Sequence, residues 1–179
     1  GRAVRIAAPK DAIAQGIAYV TEDRKGTGLV LSGSVRDNLC LALLDRLSRG
    51  PLMSAQREAA AAQGMIDALN IKTASDALGV ARLSGGNQQK VVLGKWFLTE
   101  PKILLLDEPT RGVDVGAKRE IYRVMSDFAR AGGTIIMVSS ETDEILGMAD
   151  RVIVLRDGRM AGELPRAELS AERLLHLAA

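Results

Sequence analysis

The chain has 179 residues, 47% hydrophobic and 26% charged, a length and balance that suit one domain with its own core and exclude bulk disorder, a collagen-like fibre and a disulfide scaffold. Aromatic residues make up only 3%, so aliphatic side chains and alanine must fill the interior. Lys plus Arg total 24 against 22 Asp plus Glu, and the resulting +2 gives no electrostatic case for nucleic acid.

Gly16–Thr21 is short, apolar and partly β-branched, which predicts a buried strand. Glu22–Gly33 mixes charges with glycines and predicts an exposed loop. Ser34, with Asp37 three residues on, predicts the start of a helix that keeps Val35, Leu39, Ala42, Leu43 and Leu47 on one face. Gly50-Pro51 breaks it. Ser54 caps a second helix with Met65, Ile66 and Leu69 on its buried side, ended near Asn70. The lone cysteine, Cys40, can form no internal disulfide and reads as a buried, inert thiol.

Ser84 then precedes Gly85-Gly86 and an apolar helical stretch to about Leu98. Ile103–Leu106 is a continuous aliphatic run ending in Asp107-Glu108, as in a buried parallel strand. Ala117–Ala131 is amphipathic, with Ile121, Val124, Met125 and Phe128 on one face and Gly132-Gly133 as the stop. Thr134–Val138 predicts another buried strand and Thr142–Met148 a short helix. Val152–Leu155 and Met160–Leu164 flank Asp157-Gly158 and predict a hairpin. Ser170 caps a last helix with Leu174, Leu175 and Leu177; His176 lies on it as a surface or partly packed residue. The later alternation argues a parallel α/β sheet, and Ser34 to about Val80 a helical insert. No apolar run approaches the roughly 18 residues of a membrane span.

Three stretches carry chemistry. In Leu83-Ser84-Gly85-Gly86-Asn87-Gln88-Gln89-Lys90, a serine and two glycines open a helix whose amino end offers free N–H groups and a positive dipole to phosphate. Ser-Gly-Gly alone also occurs as an ordinary cap and turn. In Ile103-Leu104-Leu105-Leu106-Asp107-Glu108-Pro109-Thr110, a strand delivers two carboxylates to the sheet's C-terminal edge, where open α/β folds bind ligands. Asp107 suits Mg²⁺ through water, and Glu108 suits polarising a water nucleophile. An acidic pair after a strand also occurs as solvated loop charge. Arg111–Lys118 follows, with Asp114 before the next helix.

The full octapeptide resembles the signature motif of ABC-type ATPases, in the form seen in monosaccharide importers. Asp107-Glu108 then resembles a Walker B motif with its catalytic glutamate, and Arg111–Lys118 the D-loop. Together with Val20–Lys25 and Val138–Glu141, the chain looks like the second ATPase half of ribose/galactose/xylose-type importers over essentially all its length. The resemblance implies a partial P-loop NTPase core of α/β class, with a core remnant at 1–28 and 100–179 and a helical subdomain at 29–99. It implies ATP and Mg²⁺ as cofactors. Ser84, Gly85, Gly86, Asn87, Gln88, Glu22 and Asp114 fall at nucleotide-binding positions, Asp107 at the metal and Glu108 and Ser140 at catalytic positions. The implied partners are a first nucleotide-binding half, a membrane permease and, indirectly, a periplasmic sugar-binding protein, at the cytoplasmic face of the membrane.

Three departures qualify this. No Gly-x-x-x-x-Gly-Lys-Ser/Thr loop occurs, so the chain lacks a phosphate cradle and is expected to begin after it. Glu22 stands where the family has a glutamine and would repel phosphate unless a cation intervenes. Ser140 replaces the switch histidine. The complete signature would serve the competent site on the first half, and Glu108 a weaker one. Loss of the strand beside Thr134–Val138 is expected to be repaired by direct closure, a shifted strand, or pairing with another copy of the chain. Two other classes remain: a non-catalytic module that docks on the permease through Arg24, Lys25 and Leu29–Ser34, and an ABC-type ATPase acting on nucleic acid.

Overall fold

The computed structural model describes residues 3–49 and 52–179, so the expected break at Gly50-Pro51 lies outside the described residues. Two compact units result, Gly1–Met137 and Val138–Ala179. In the first, α1 (Pro9–Ala14) leads into β1 (Ile17–Val20). The Asp11 carboxylate accepts from the Ala7 and Ala8 amides at 3.0 Å each, fixing the amino end of α1. Strand β1 runs parallel to β4 (Ile103–Asp107), with Ile17 opposite Ile103 and Val20 opposite Leu106, and β4 lies beside β5 (Thr134–Val138). Ala18, Val20, Leu104 and Leu106 point inward and are at most 1% exposed.

Strand β5 departs from expectation. It is not buried: Ile136 and Val138 are 57% and 60% exposed. Its only sheet neighbour among the described residues is β4. Neither direct closure nor a shifted strand repairs that edge, because the C-terminal hairpin forms a sheet of its own.

Glu22–Gly33 is not simply an exposed loop. Arg24–Gly28 winds into a wide helical turn capped by Asp23, whose carboxylate accepts from the Gly26 amide at 2.9 Å. Lys95, only 6% exposed, donates to the Gly28 carbonyl at 2.7 Å and pulls the turn inward. Asn38, 1% exposed, pins the following segment by accepting from Val30 N and donating to the Val30 and Ser34 carbonyls. A buried amide with all these partners made costs little.

The helical insert is built from α2 (Val35–Cys40), α3 (Leu44–Leu47), α4 (Ala55–Ala68) and α5 (Gly85–Phe97). Ser34 and Asp37 form the predicted reciprocal cap on α2. The single helix expected from Ser34 is interrupted by a tight turn at Leu41–Leu43, and the insert carries two short antiparallel strands, β2 (Ser48–Arg49) and β3 (Leu52–Met53). Val35 and Leu39 of α2, Ile66 of α4 and Val91, Val92 and Leu93 of α5 supply its core, each fully buried aliphatic side chain contributing about 1.5–3 kcal/mol. The helices approach closely at Gly94, where a Cβ would lie 2.8 Å from both Leu39 Cδ2 and Met65 Cγ. Helix α6 (Val115–Arg130) buries Ile121 and Met125 as its periodicity predicts. Phe128 meets Phe97 with ring centroids 5.6 Å apart, and Gly132 at φ +94° ends the run.

The second unit holds α7 (Thr142–Met148), β6 (Arg151–Arg156), β7 (Arg159–Pro165) and α8 (Ala171–Ala178). Asp157 and Gly158 both have positive φ, the turn that matches hairpin twist. Val154, Leu164 and Leu174 form its core, edged by Ile145, Leu146 and Leu177. His176 is exposed.

Two predictions arise here. Cys40 is buried and its thiol is pushed up to about 11 by desolvation, so iodoacetamide at pH 8 leaves the native thiol unmodified and labels it only on unfolding; native labelling at the unfolded rate would contradict the packing. Asp37, Asp76 and Glu120 are all held below their ordinary values: Asp37 by the Ser34 cap, Asp76 by the Arg36 guanidinium, Glu120 by the Lys90 ammonium. Depressed carboxyls favour the folded form when ionised. Their contribution is therefore complete above their ordinary values of 3.8 and 4.5 and is lost as pH falls further, through the lower folded values. Urea midpoints read across pH 3–6 should be flat at the upper end and fall at the lower; a flat profile throughout would refute this.

Candidate functional site

The site begins with how α5 is started. Ser84 Oγ accepts from the Asn87 amide at 3.5 Å and from Asn87 Nδ2 at 2.9 Å. Asn87 Oδ1 in turn accepts from the Lys72 amide at 2.8 Å, so the asparagine ties the preceding loop to the helix start. The first amides of a helix have no intrahelical partner, which leaves the Gly85 end of α5 as a donor-rich tip.

Helix α6 starts beside it. The Asp114 carboxylate caps α6 by accepting from the Ala117 amide at 2.9 Å. The two helix starts are pressed together at Gly86, where a Cβ would fall 2.3 Å from the Ala117 Cβ. The glycine there is thus required by packing of α5 on α6, not only by approach of a ligand. Below this contact Lys90, 2% exposed, donates to the Asn70 carbonyl at 2.8 Å and pairs with Glu120 of α6. Asn70 sits at φ +48°, a left-handed turn.

A recess of about 240 Å³ results, lined by Ser84, Gly86, Asn87, Asp114, Lys72 and Glu120, with Lys90 at its floor. It gathers four of the seven residues expected to meet nucleotide. Gly85 lies against the Gly112 carbonyl and the Arg24 guanidinium instead. Gln88, expected to meet nucleotide, is 5% exposed and donates to the Val80 carbonyl at 3.2 Å. Glu22, expected to repel phosphate, forms an ion pair with Arg111.

The acidic pair lies at the end of β4. Asp107 Oδ2 accepts from the Tyr19 hydroxyl at 3.0 Å, and that bond pushes the tyrosine pKa up. Glu108 adopts φ +46°, a left-handed conformation that is costly for a residue other than glycine. Pro109 and Thr110 behind it are buried. No cluster of three or more His, Cys, Asp or Glu forms among the described residues. Asp107 still fits Mg²⁺, which takes one or two carboxylates and draws its other ligands from phosphate and water. Ser140 belongs to the second unit and is exposed; its neighbour Ser139 accepts from the Glu141 amide at 3.0 Å.

Sequence reasoning gave no site role to Tyr19, Lys72, Arg111 and Glu120, and placed Arg24 on a permease-docking stretch rather than beside Gly85. Arg111 stood inside a quoted motif, but its partner is distant in sequence. Tyr19, Lys72 and Glu120 carried no local signal.

A partial P-loop core, a helical insert ending in a serine-capped signature helix, and a strand ending in Asp-Glu define an ATP-binding cassette. The chain belongs to the ABC transporter family, whose sequence profile matches residues 3–111. It is 55% identical over 178 residues to the ribose/galactose/methyl galactoside import ATP-binding protein 1 of Rhizobium etli, covering 99% of this chain and 34% of that protein. It is 49% identical over 178 residues to the ribose import ATP-binding protein RbsA of Bacillus subtilis, covering 99% of this chain and 36% of that one. The chain therefore spans about a third of the length of the curated relatives it matches. Among solved structures, a dimeric bacterial ABC transporter cassette superposes with a TM-score of 0.73 at 22% identity, over 88% of this chain and 66% of that one. An inward-facing metal-chelate type ABC transporter gives 0.74 at 21% identity, over 91% and 64%. At that identity the likeness is one of fold. No helix among the described residues is long and apolar enough to cross a membrane.

Proposed function

We propose that this chain is the signature-bearing part of the second ATPase half of a monosaccharide importer, with residues 29–99 as its helical subdomain. The observation that carries the reading is the recess where the Ser84 and Asp114 helix starts meet. Its support is the sugar-import relatives. The first half holds the nucleotide on its own loop, and this chain closes over it from the other side.

In that arrangement the first amides of α5 and the Ser84 hydroxyl bind phosphate oxygens, and the dipole of α5 favours their charge. Gly86 and the Lys90–Glu120 pair hold the Ser84 and Asp114 turns at a fixed spacing. At the second site Asp107 would hold Mg²⁺, which neutralises phosphate charge when bound. Glu108 beside it would orient a water. The division of labour leaves the competent site on the first half. The nucleotide is ATP, the complex stands against a permease at the cytoplasmic membrane face, and the sugar arrives from a periplasmic binding protein. Nucleic acid is not a partner. The open edge of β5 offers self-association as a further contact.

The test measures ATP binding and hydrolysis by the 179-residue chain alone and together with the first half. The chain alone should neither bind ATP tightly nor turn it over, and Ser84→Arg should abolish turnover by the assembled pair. Steady hydrolysis by the pure chain would sink the reading. A second reading, a docking module without catalytic contribution, predicts full turnover by the Ser84→Arg assembly.

A further inference from the structure

Arg24 has a setting that the site as described does not use. It lies in the wide turn after β1 and is half-buried. Its Nε is fully buried and finds no acceptor among the described residues. Its Nη2 lies 3.3 Å from where a Cβ of Gly85 would be, with the Gly112 carbonyl 3.2 Å from the same point. The nearby carboxylate that could neutralise it, Glu22, is taken by Arg111. Asp23, the next, accepts from the Gly26 amide and makes no ion pair with Arg24 among the described residues.

A guanidinium at the first residue of α5 therefore stands against the positive end of the helix, partly dehydrated and without an ion-pair partner among the described residues. Burial accordingly pushes its pKa down. Left alone, the arrangement is unfavourable on both counts. It becomes favourable when a polyanion comes to the tip of α5. The capped helix start and the unpaired guanidinium then face the same charge.

We propose that Arg24 is a specificity-determining and positioning residue of the signature turn, setting preference for a nucleoside triphosphate over a diphosphate. The inference rests on the proposed function, in which the first half holds the nucleotide. What reaches this chain is then the far end of the phosphate chain, which the diphosphate lacks. Arg24 acts by holding the Ser84-Gly85 turn against Gly112 and by adding positive potential where the outermost phosphate lies.

The experiment compares ATP and ADP affinity of the assembled two-half ATPase as wild type, Arg24→Met and Arg24→Lys. Arg24→Met should weaken ATP roughly tenfold, the scale of one charge-assisted contact, leave ADP unchanged and raise KM more than it lowers kcat. Arg24→Lys should recover most of the ATP affinity, and its preference should weaken with salt more steeply than that of Arg24→Met. Equal losses for ATP and ADP, or a lysine variant as poor as the methionine, would overturn the proposal in favour of a purely structural role. Loss of permease co-purification with an intact ATP-to-ADP ratio would overturn it in favour of a docking role. If Arg24→Met does not fold, Arg24→Gln carries the same expectations. A wild-type assembly that binds no ATP would instead overturn the proposed function and this inference with it.

Discussion

Glu120→Ala should destabilise the first unit by about 3 kcal/mol, the scale of stranding a buried charge. The alanine keeps the helix propensity of α6, so the loss is not a helix effect. Lys90 is the group that suffers. It is 2% exposed, and with Glu120 gone the Asn70 carbonyl is its one hydrogen-bond acceptor among the described residues. Glu120 is 35% exposed at its side chain and would tolerate loss of the lysine better than the reverse. Lys90→Met in the Glu120→Ala background should therefore restore most of the stability, because an apolar side chain of similar length removes the stranded charge. Chemical denaturation of the four proteins checks this. A double variant no more stable than Glu120→Ala would show that the pair is not what α5 and α6 share.

Gly86→Ala should cost about 1–3 kcal/mol through overpacking and lower ATP turnover by the assembled halves. The added methyl meets the Ala117 Cβ at 2.3 Å, and that Cβ stands on a helix backbone that cannot swing aside as a flexible side chain could. Helices α5 and α6 must part, and the Ser84 and Asp114 turns part with them. Gly64 is the control. It lies in α4 with nothing within 4 Å of its missing Cβ, so Gly64→Ala should stabilise by about 0.5–1 kcal/mol as an ordinary helix substitution. If Gly86→Ala behaves like Gly64→Ala, the close contact between the two helix starts does not exist in solution.

Much of the fold was legible because its punctuation is local. Ser34, Ser54, Ser84 and Ser170 each precede a helical pattern and each caps the helix that follows. Asp157-Gly158 marks the hairpin within two residues. The signature residues could likewise be named, since the octapeptide is contiguous. What was not legible depends on partners far along the chain. Nothing near Lys90 signals its burial, because Glu120 and Asn70 decide it. Nothing near Glu22 announces Arg111. Gln88 reads as one more polar signature residue until the Val80 carbonyl claims it. The exposure of β5 was hidden for a different reason: an aliphatic run reports the strand's composition but not whether a neighbour covers it. Helix α1 escaped because six residues capped by alanine leave too short a pattern.

The Lys90–Glu120 pair and the Gly86 contact have a mechanical meaning. They make α5 and α6 one stiff body with two tips, Ser84 and Asp114, on the same end. A molecule gripping either tip exerts torque on both. A partner that draws Asp114 toward itself also swings the Ser84 end of α5, with no linker to absorb the motion. The amides behind those tips should then be among the slowest in the chain to exchange with solvent, even though the tips themselves lie open.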